Sequence, residues 1–153
     1  MRLPPFALGA LALVVLAAAS VSAATPAEDI ERLFAEYTQM WSAKDAEGVW
    51  SKIYRPSPGL SFQSAADVAR ALKGLTDQGY DHSIINSVRP CFLTAADALV
   101  EFRYTRLKTD GQFMPPKLRA GIYVTHKFAD GWRITSILPM DATNKLSCSE
   151  APQ

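Results

Sequence analysis

The chain has 153 residues, with 16 Lys and Arg against 15 Asp and Glu, two cysteines and two histidines. Positive and negative side chains alternate in small groups, so no basic stripe exists for a phosphate backbone to bind, and nucleic acid is excluded as a partner. Two distant histidines and no C-x-x-C speak against a metal site and thiol redox catalysis. No phosphate loop, dinucleotide fingerprint, nucleophile elbow, zinc signature or calcium loop is present, and no cofactor is implied.

Met1 and Arg2 give a positive start, an apolar run follows from Phe6 to Ala19, and Val21-Ser22-Ala23 is a small-x-small site. That order is the signature of a secretory signal peptide. The run, about 14 residues, is short of the ~20 that a membrane-crossing helix needs. The expectation is cleavage after Ala23, with residues 1–23 as signal peptide and 24–153 as one periplasmic or secreted domain. Nothing in the mature chain is apolar enough to span a membrane. Arg2 leaves with the signal, so the mature chain carries 15 basic and 15 acidic side chains.

An oxidising compartment lets Cys91 and Cys148 pair; the alternative is two free thiols. The bridge is the expectation, and closing so long a loop is worth roughly 4 kcal/mol by chain entropy. It would tie down a C-terminal segment that otherwise reads as frayed.

Thr25-Pro26-Ala27-Glu28 is a helix start, with Thr25 as cap, Pro26 in the first turn and Glu28 completing a capping box. Ile30, Leu33, Phe34, Tyr37 and Trp41 then recur at spacings of three and four, which predicts a helix to about Ser42. A shorter helix begins near Asp45 with Val49, Trp50, Ile53 and Tyr54 as its apolar side, ended by Pro56 and Pro58-Gly59. Ser64-Ala65-Ala66-Asp67 repeats the cap, and Val68, Ala71, Leu72 and Leu75 form the stripe of a third helix that fades at Gln78-Gly79.

From there the period falls to two. Residues 83–92 hold Ile84, Ile85, Val88 and Phe92, with Pro90 marking an edge or an irregularity. In 98–108, Val100, Phe102 and Tyr104 alternate with Glu101, Arg103 and Thr105. In 118–128, Ala120, Ile122, Val124, His126 and Phe128 alternate with Tyr123, Thr125 and Lys127. Asp130-Gly131 is a tight hairpin signal, and a last strand from Trp132 is closed by Pro139. Helices first and antiparallel strands after them predict an α+β domain.

Tyr37 and Trp41 followed by Asp45 and Tyr54, then Ala96-Asp97-Ala98-Leu99-Val100, and above all Phe128-Ala129-Asp130-Gly131-Trp132-Arg133-Ile134, resemble the NTF2-like superfamily, in particular its SnoaL-like members. The resemblance covers nearly all of the mature chain. It implies a cone, with three N-terminal helices packed on a curved antiparallel sheet around a cavity, and homodimers formed through the sheet. The superfamily includes isomerases, dehydratases, cyclases, epoxide hydrolases, binding proteins and accessory domains, so fold alone does not choose an activity.

Nine residues are expected to line that cavity: Tyr37, Trp41, Trp50, Tyr54, Phe102, Tyr104, Ile122, Val124 and His126. Their aromatic bodies with polar tips suit a small apolar or aromatic molecule, although at least three of Tyr37, Trp41, Trp50, Tyr54 and Trp132 are expected to be plain core. His126, Asp45 and Tyr37 are the candidate catalytic residues, an imidazole being able to move a proton near pH 7. Against these stand blander roles: His126 at a rim, His82 in a loop, Asp45 as a helix cap. Glu101, Arg103 and Thr105, with Tyr123, Thr125 or Lys127 beside them, are expected on a polar outer surface or a dimer contact. Three readings stay open: a ligand-binding domain without demonstrated catalysis, a cofactor-independent acid–base enzyme, and a structural or protein-interaction module whose cavity is filled.

Overall fold

A computed structural model describes residues 23–148, so the predicted signal sequence as far as Ser22 lies outside the described residues. Helix α1 spans Pro26–Ser42. Thr25 Oγ1 accepts from the Glu28 N–H at 3.3 Å and Glu28 accepts from the Thr25 N–H at 2.7 Å, which satisfies two donors that a helix start leaves open. Its Ile30, Leu33, Phe34, Tyr37 and Trp41 are all buried, and for the aliphatic members and Phe34 this contributes about 1.5–3 kcal/mol each.

Asp45 caps the next element, accepting from the Gly48 N–H at 2.8 Å. That element is one α turn, α2 (Ala46–Gly48), which continues as a π-helical turn, Val49–Ile53, closed by Tyr54 N–H on the Val49 carbonyl at 3.1 Å. Helix α3 (Ala65–Thr76) starts at Ser64, whose hydroxyl accepts from the Asp67 N–H at 3.2 Å. The Asp67 carboxylate reaches back to the Gln63 N–H at 3.0 Å.

Four strands follow, β1 (Tyr80–Phe92), β2 (Asp97–Lys108), β3 (Arg119–Phe128) and β4 (Gly131–Met140), antiparallel in the order β1-β2-β3-β4. The α+β composition is as the sequence predicts. The cone is not. β1 and β4 remain the two edges of an open sheet that is neither closed nor strongly curled. Sequential hairpins leave no strand to join the edges, and the space that curling would enclose is taken by side chains. Phe34 lies 4.8 Å from Phe102 and 5.2 Å from Tyr123 between ring centroids.

Both edges carry proline, where a missing N–H costs least. Pro90 lies in β1 opposite Val100, and Pro139 lies within β4 opposite Gly121 rather than ending it. Part of the β4 edge is covered by the chain leaving the π turn, where Arg55 N–H donates to the Ile134 carbonyl at 3.0 Å.

The register of β3 reverses the expected faces. Phe102 stands opposite Gly121 and Val100 opposite Tyr123, so Tyr123 and Thr125 share the helix-covered face with Phe102. Ile122, Val124 and His126 point to the other side, beside Glu101, Leu99 and Asp97. The reason lies at Gly121, where an added Cβ would come within 3.0 Å of Tyr123 Cε2. The ring of Tyr123 lies back over that glycine, and Thr125 offsets its buried hydroxyl by donating to the Ala98 carbonyl at 3.1 Å.

The outer face is partly covered by the chain's own C-terminal segment, residues 141–148. Cys91 and Cys148 are joined, with Cα atoms 5.5 Å apart. Glu101, expected on a solvated surface, is only 1% exposed beneath this strap. Its carboxylate accepts from Arg103 at 2.8 Å, from Arg89 at 3.3 Å and from the Leu146 N–H at 2.6 Å. Arg103 in turn donates to the Ala142 and Asn144 carbonyls. Burial pushes the Glu101 carboxyl up, but these hydrogen bonds and the two guanidinium charges outweigh it and hold the group below its ordinary value.

Candidate functional site

Between α1 and β2 lies a void of about 20 Å³ lined by Tyr37, Thr38, Trp41, Ser83, Phe102, Tyr104 and Arg106. That is room for about one water molecule. Four of the nine expected lining residues meet here, Tyr37, Trp41, Phe102 and Tyr104. Tyr54 adjoins them, its hydroxyl donating to the Tyr37 oxygen at 3.2 Å. Trp50 is half-buried at the edge of the core cluster. Ile122, Val124 and His126 are on the opposite face of the sheet, so the expected lining is corrected there.

The phenols are acids held in their neutral form. Tyr37, Tyr54 and Tyr123 are all pushed up from the ordinary phenol value, in each case chiefly because burial penalises the phenolate. They donate hydrogen bonds and do not take protons near neutral pH. No carboxylate or imidazole lines the void.

The three candidate catalytic residues do not converge. His126 Nδ1 pairs with Asp97 Oδ1 at 2.7 Å on the outer face, with both side chains at least 40% exposed. This bond, with one from Thr94, holds the Asp97 carboxyl below its ordinary value. Asp45 is the α2 cap, and Tyr37 is engaged with Tyr54. His82 pairs with the adjacent Asp81 at 2.7 Å. Trp132 is buried at a charged surface groove that also includes Asp29, Arg32, Lys52, Lys127 and Arg133.

What sequence reasoning missed is the polar rim of the void. Tyr104 also lines an open depression of about 400 Å³, together with Pro116, Leu118, Arg119, Ala120, Met140, Asp141 and Ala142, where β3 begins and β4 finishes. Arg119 stands directly opposite Tyr104 in register, and Arg106 lies two residues along β2 on the same face. Thr38 Oγ1, Trp41 Nε1 and Arg119 Nε are buried without a hydrogen-bond partner among the described residues. The alternation of β2 carried the signal for Arg106, since it continues the series Phe102, Tyr104; Arg119 needed the register.

Among the described residues no group of three His, Cys, Asp or Glu is placed to hold a metal ion, and no helix is long and apolar enough to cross a membrane.

No family model and no curated relative matches the sequence. Solved structures do match. An NTF2-like protein of unknown function from Shewanella oneidensis MR-1 superposes with a TM-score of 0.57 at 16% identity, over 74% of this chain and 97% of that one. An NTF2-like superfamily protein from Salmonella enterica serovar Typhimurium LT2 gives 0.54 at 18% identity, over 82% and 96%. An NTF2-like protein with a cystatin-like fold from Novosphingobium aromaticivorans gives 0.54 at 17% identity, over 72% and 77%. The fold is therefore that of the broad NTF2-like, cystatin-like superfamily, here with an open sheet. Identities this low speak to architecture alone.

Proposed function

We propose that the mature chain is an exported domain that binds a small, partly apolar molecule at the Tyr104 aperture. The observation that carries this reading is an unpartnered polar atom, Thr38 Oγ1, buried in a residue that lines an aromatic void. An unsatisfied buried polar group costs about 1–3 kcal/mol, and a ligand atom entering the void would meet it. The adjoining depression, about 400 Å³, falls within the ~300–1,000 Å³ typical of ligand sites. Without a base at the void, acid–base chemistry has no proton acceptor there. Export is supported by the order of charged, apolar and small residues before Ala24.

The test uses the mature protein and a neutral solvatochromic dye, Nile red. Saturable binding with a blue-shifted emission is expected, weakened roughly tenfold or more in Tyr104→Ala, since an aromatic wall contributes more than 1 kcal/mol. A dye that does not bind, or binds equally to that variant, refutes the reading. The filled-interior reading, favoured by the small volume of the void, would then take its place. Export is tested by N-terminal sequencing of protein recovered from a bacterial periplasm. Ala24 is the expected first residue.

A further inference from the structure

We infer that the aperture selects an anion, a single carboxylate carried on an apolar body, received between the guanidinium groups of Arg106 and Arg119. This rests on the aperture being the binding site. Arg106 and Arg119 are diagonal neighbours on adjacent strands across Tyr104, a relation that separates Cβ atoms by about 7–8 Å or somewhat less. Neither has a carboxylate within 4.0 Å among the described residues, whereas Arg32, Arg55, Arg70, Arg89, Arg103 and Arg133 all do. The two described arginines without a carboxylate partner therefore share one small region.

Each guanidinium is positioned before a ligand arrives. Arg106 lies over the Tyr104 ring at 5.3 Å and the Tyr80 ring at 5.8 Å, which orients its plane without using its N–H donors. Arg119 donates one N–H to the Pro115 carbonyl at 2.5 Å and keeps its buried Nε–H without a partner. Burial, then the like charge of Arg106, pulls the Arg119 guanidinium down from its ordinary value. The two cations thus repel each other, and an anion between them relieves that repulsion.

The class of anion follows from the surroundings. A planar carboxylate matches the guanidinium fork. Pro116, Leu118 and Met140 give the depression an apolar wall, against which an apolar body fits. Asp141 also lies at this depression, its carboxylate turned to the Thr143 N–H at 2.8 Å. A fixed negative charge there disfavours a phosphate dianion more than a monocarboxylate.

Isothermal titration of the mature protein with benzoate, its neutral isostere benzamide, and inorganic phosphate decides the matter. Benzoate is expected to bind roughly tenfold or more tightly than benzamide, the scale of a charge-assisted hydrogen bond. Arg106→Gln and Arg119→Gln should each abolish the preference for benzoate over benzamide. Circular dichroism shows whether each variant is folded, and either one suffices for the test. Equal binding of benzoate and benzamide to the wild type, or a preference surviving in a folded variant, overturns the inference. So does phosphate competing as well as benzoate. Failure of both aromatics to bind while Nile red still does removes the anion and leaves the binding site. Failure of all three ligands removes the site itself.

Discussion

The two faces of the sheet treat buried polarity in opposite ways. On the outer face a charged carboxylate, Glu101, is buried but met by two arginines and a backbone N–H. On the helix-covered face four polar atoms, of Thr38, Trp41, Arg119 and Trp132, are buried with no hydrogen-bond partner among the described residues. A domain is stable by only about 5–15 kcal/mol, so the second arrangement carries a cost that a bound water or ligand atom would offset. The difference teaches where structure is being held and where a partner is awaited. The outer face is built to keep the strap down. The inner face carries donors beyond its structural needs.

The largest expected effect breaks the outer arrangement. Glu101→Ala leaves Arg103, itself only 14% exposed as a side chain, without its carboxylate, and removing one partner from a buried pair costs about 3–5 kcal/mol. Chemical denaturation should show a lowered midpoint of that size. Acid adds a second signature. A carboxyl held below its unfolded value binds fewer protons folded than unfolded, so its contribution is complete above about 4.5, the unfolded value, and fades as pH falls through the lower folded one. Wild-type stability should fall across that window more steeply than that of Glu101→Gln. An unchanged slope would mean that the carboxylate is not ionised under the strap.

Cys148→Ser should cost somewhat less, about 2–4 kcal/mol, and the two effects should not add. Once the strap is free, Glu101 and Arg103 gain water, so Glu101→Ala in the Cys148→Ser background should lose less than in the wild type. A double-mutant cycle measures this. Additive losses would show that the strap stays seated without its bridge. Freeing it also uncovers more of the outer face beside Ile122 and Val124, the face through which the resemblance implies dimers. Sedimentation of the same variant therefore reports whether the strap competes with self-association.

The same contrast explains what could be read from the sequence. α1 was legible because its cap and its apolar spacing are local, and the hairpin at Asp130-Gly131 for the same reason. The faces of β3 were not. Ala120, Ile122 and Val124 form a greasier series than Gly121, Tyr123 and Thr125, yet the second series is the buried one. Only the cross-strand pairing with β2 reveals that Gly121 makes room for rings. Glu101 was equally hidden, since nothing near it in sequence foretells that residues 141–148 return over it. The candidate site divides likewise: Tyr37, Trp41, Phe102 and Tyr104 follow from periodicity, while Arg119 joins them only through register, and His126 drops out through it.

On the inner face the effects are smaller. Gly121→Ala places a methyl against the Tyr123 ring, at 3.0 Å before relaxation, and overpacking of this kind costs about 1–3 kcal/mol. A loss of that size in the denaturation midpoint is expected, with the near-ultraviolet circular dichroism of the tyrosine cluster altered. No change would place the ring elsewhere than over the glycine.

The smallest effect has the opposite sign and bears most directly on function. Thr38→Val keeps the shape of the side chain and replaces a buried hydroxyl, unpartnered among the described residues, by a methyl group. If that hydroxyl serves no structural bond, removing it should stabilise the domain by about 1 kcal/mol, the lower end of the penalty for an unsatisfied group. A thermal melt of the variant should shift upward by a few degrees. Ligand affinity at the aperture should fall in the same variant, because the lost donor is one a bound molecule would meet. A variant that is less stable than the wild type would show that Thr38 makes a bond the folded chain needs, and the contrast between the two faces would lose its functional meaning.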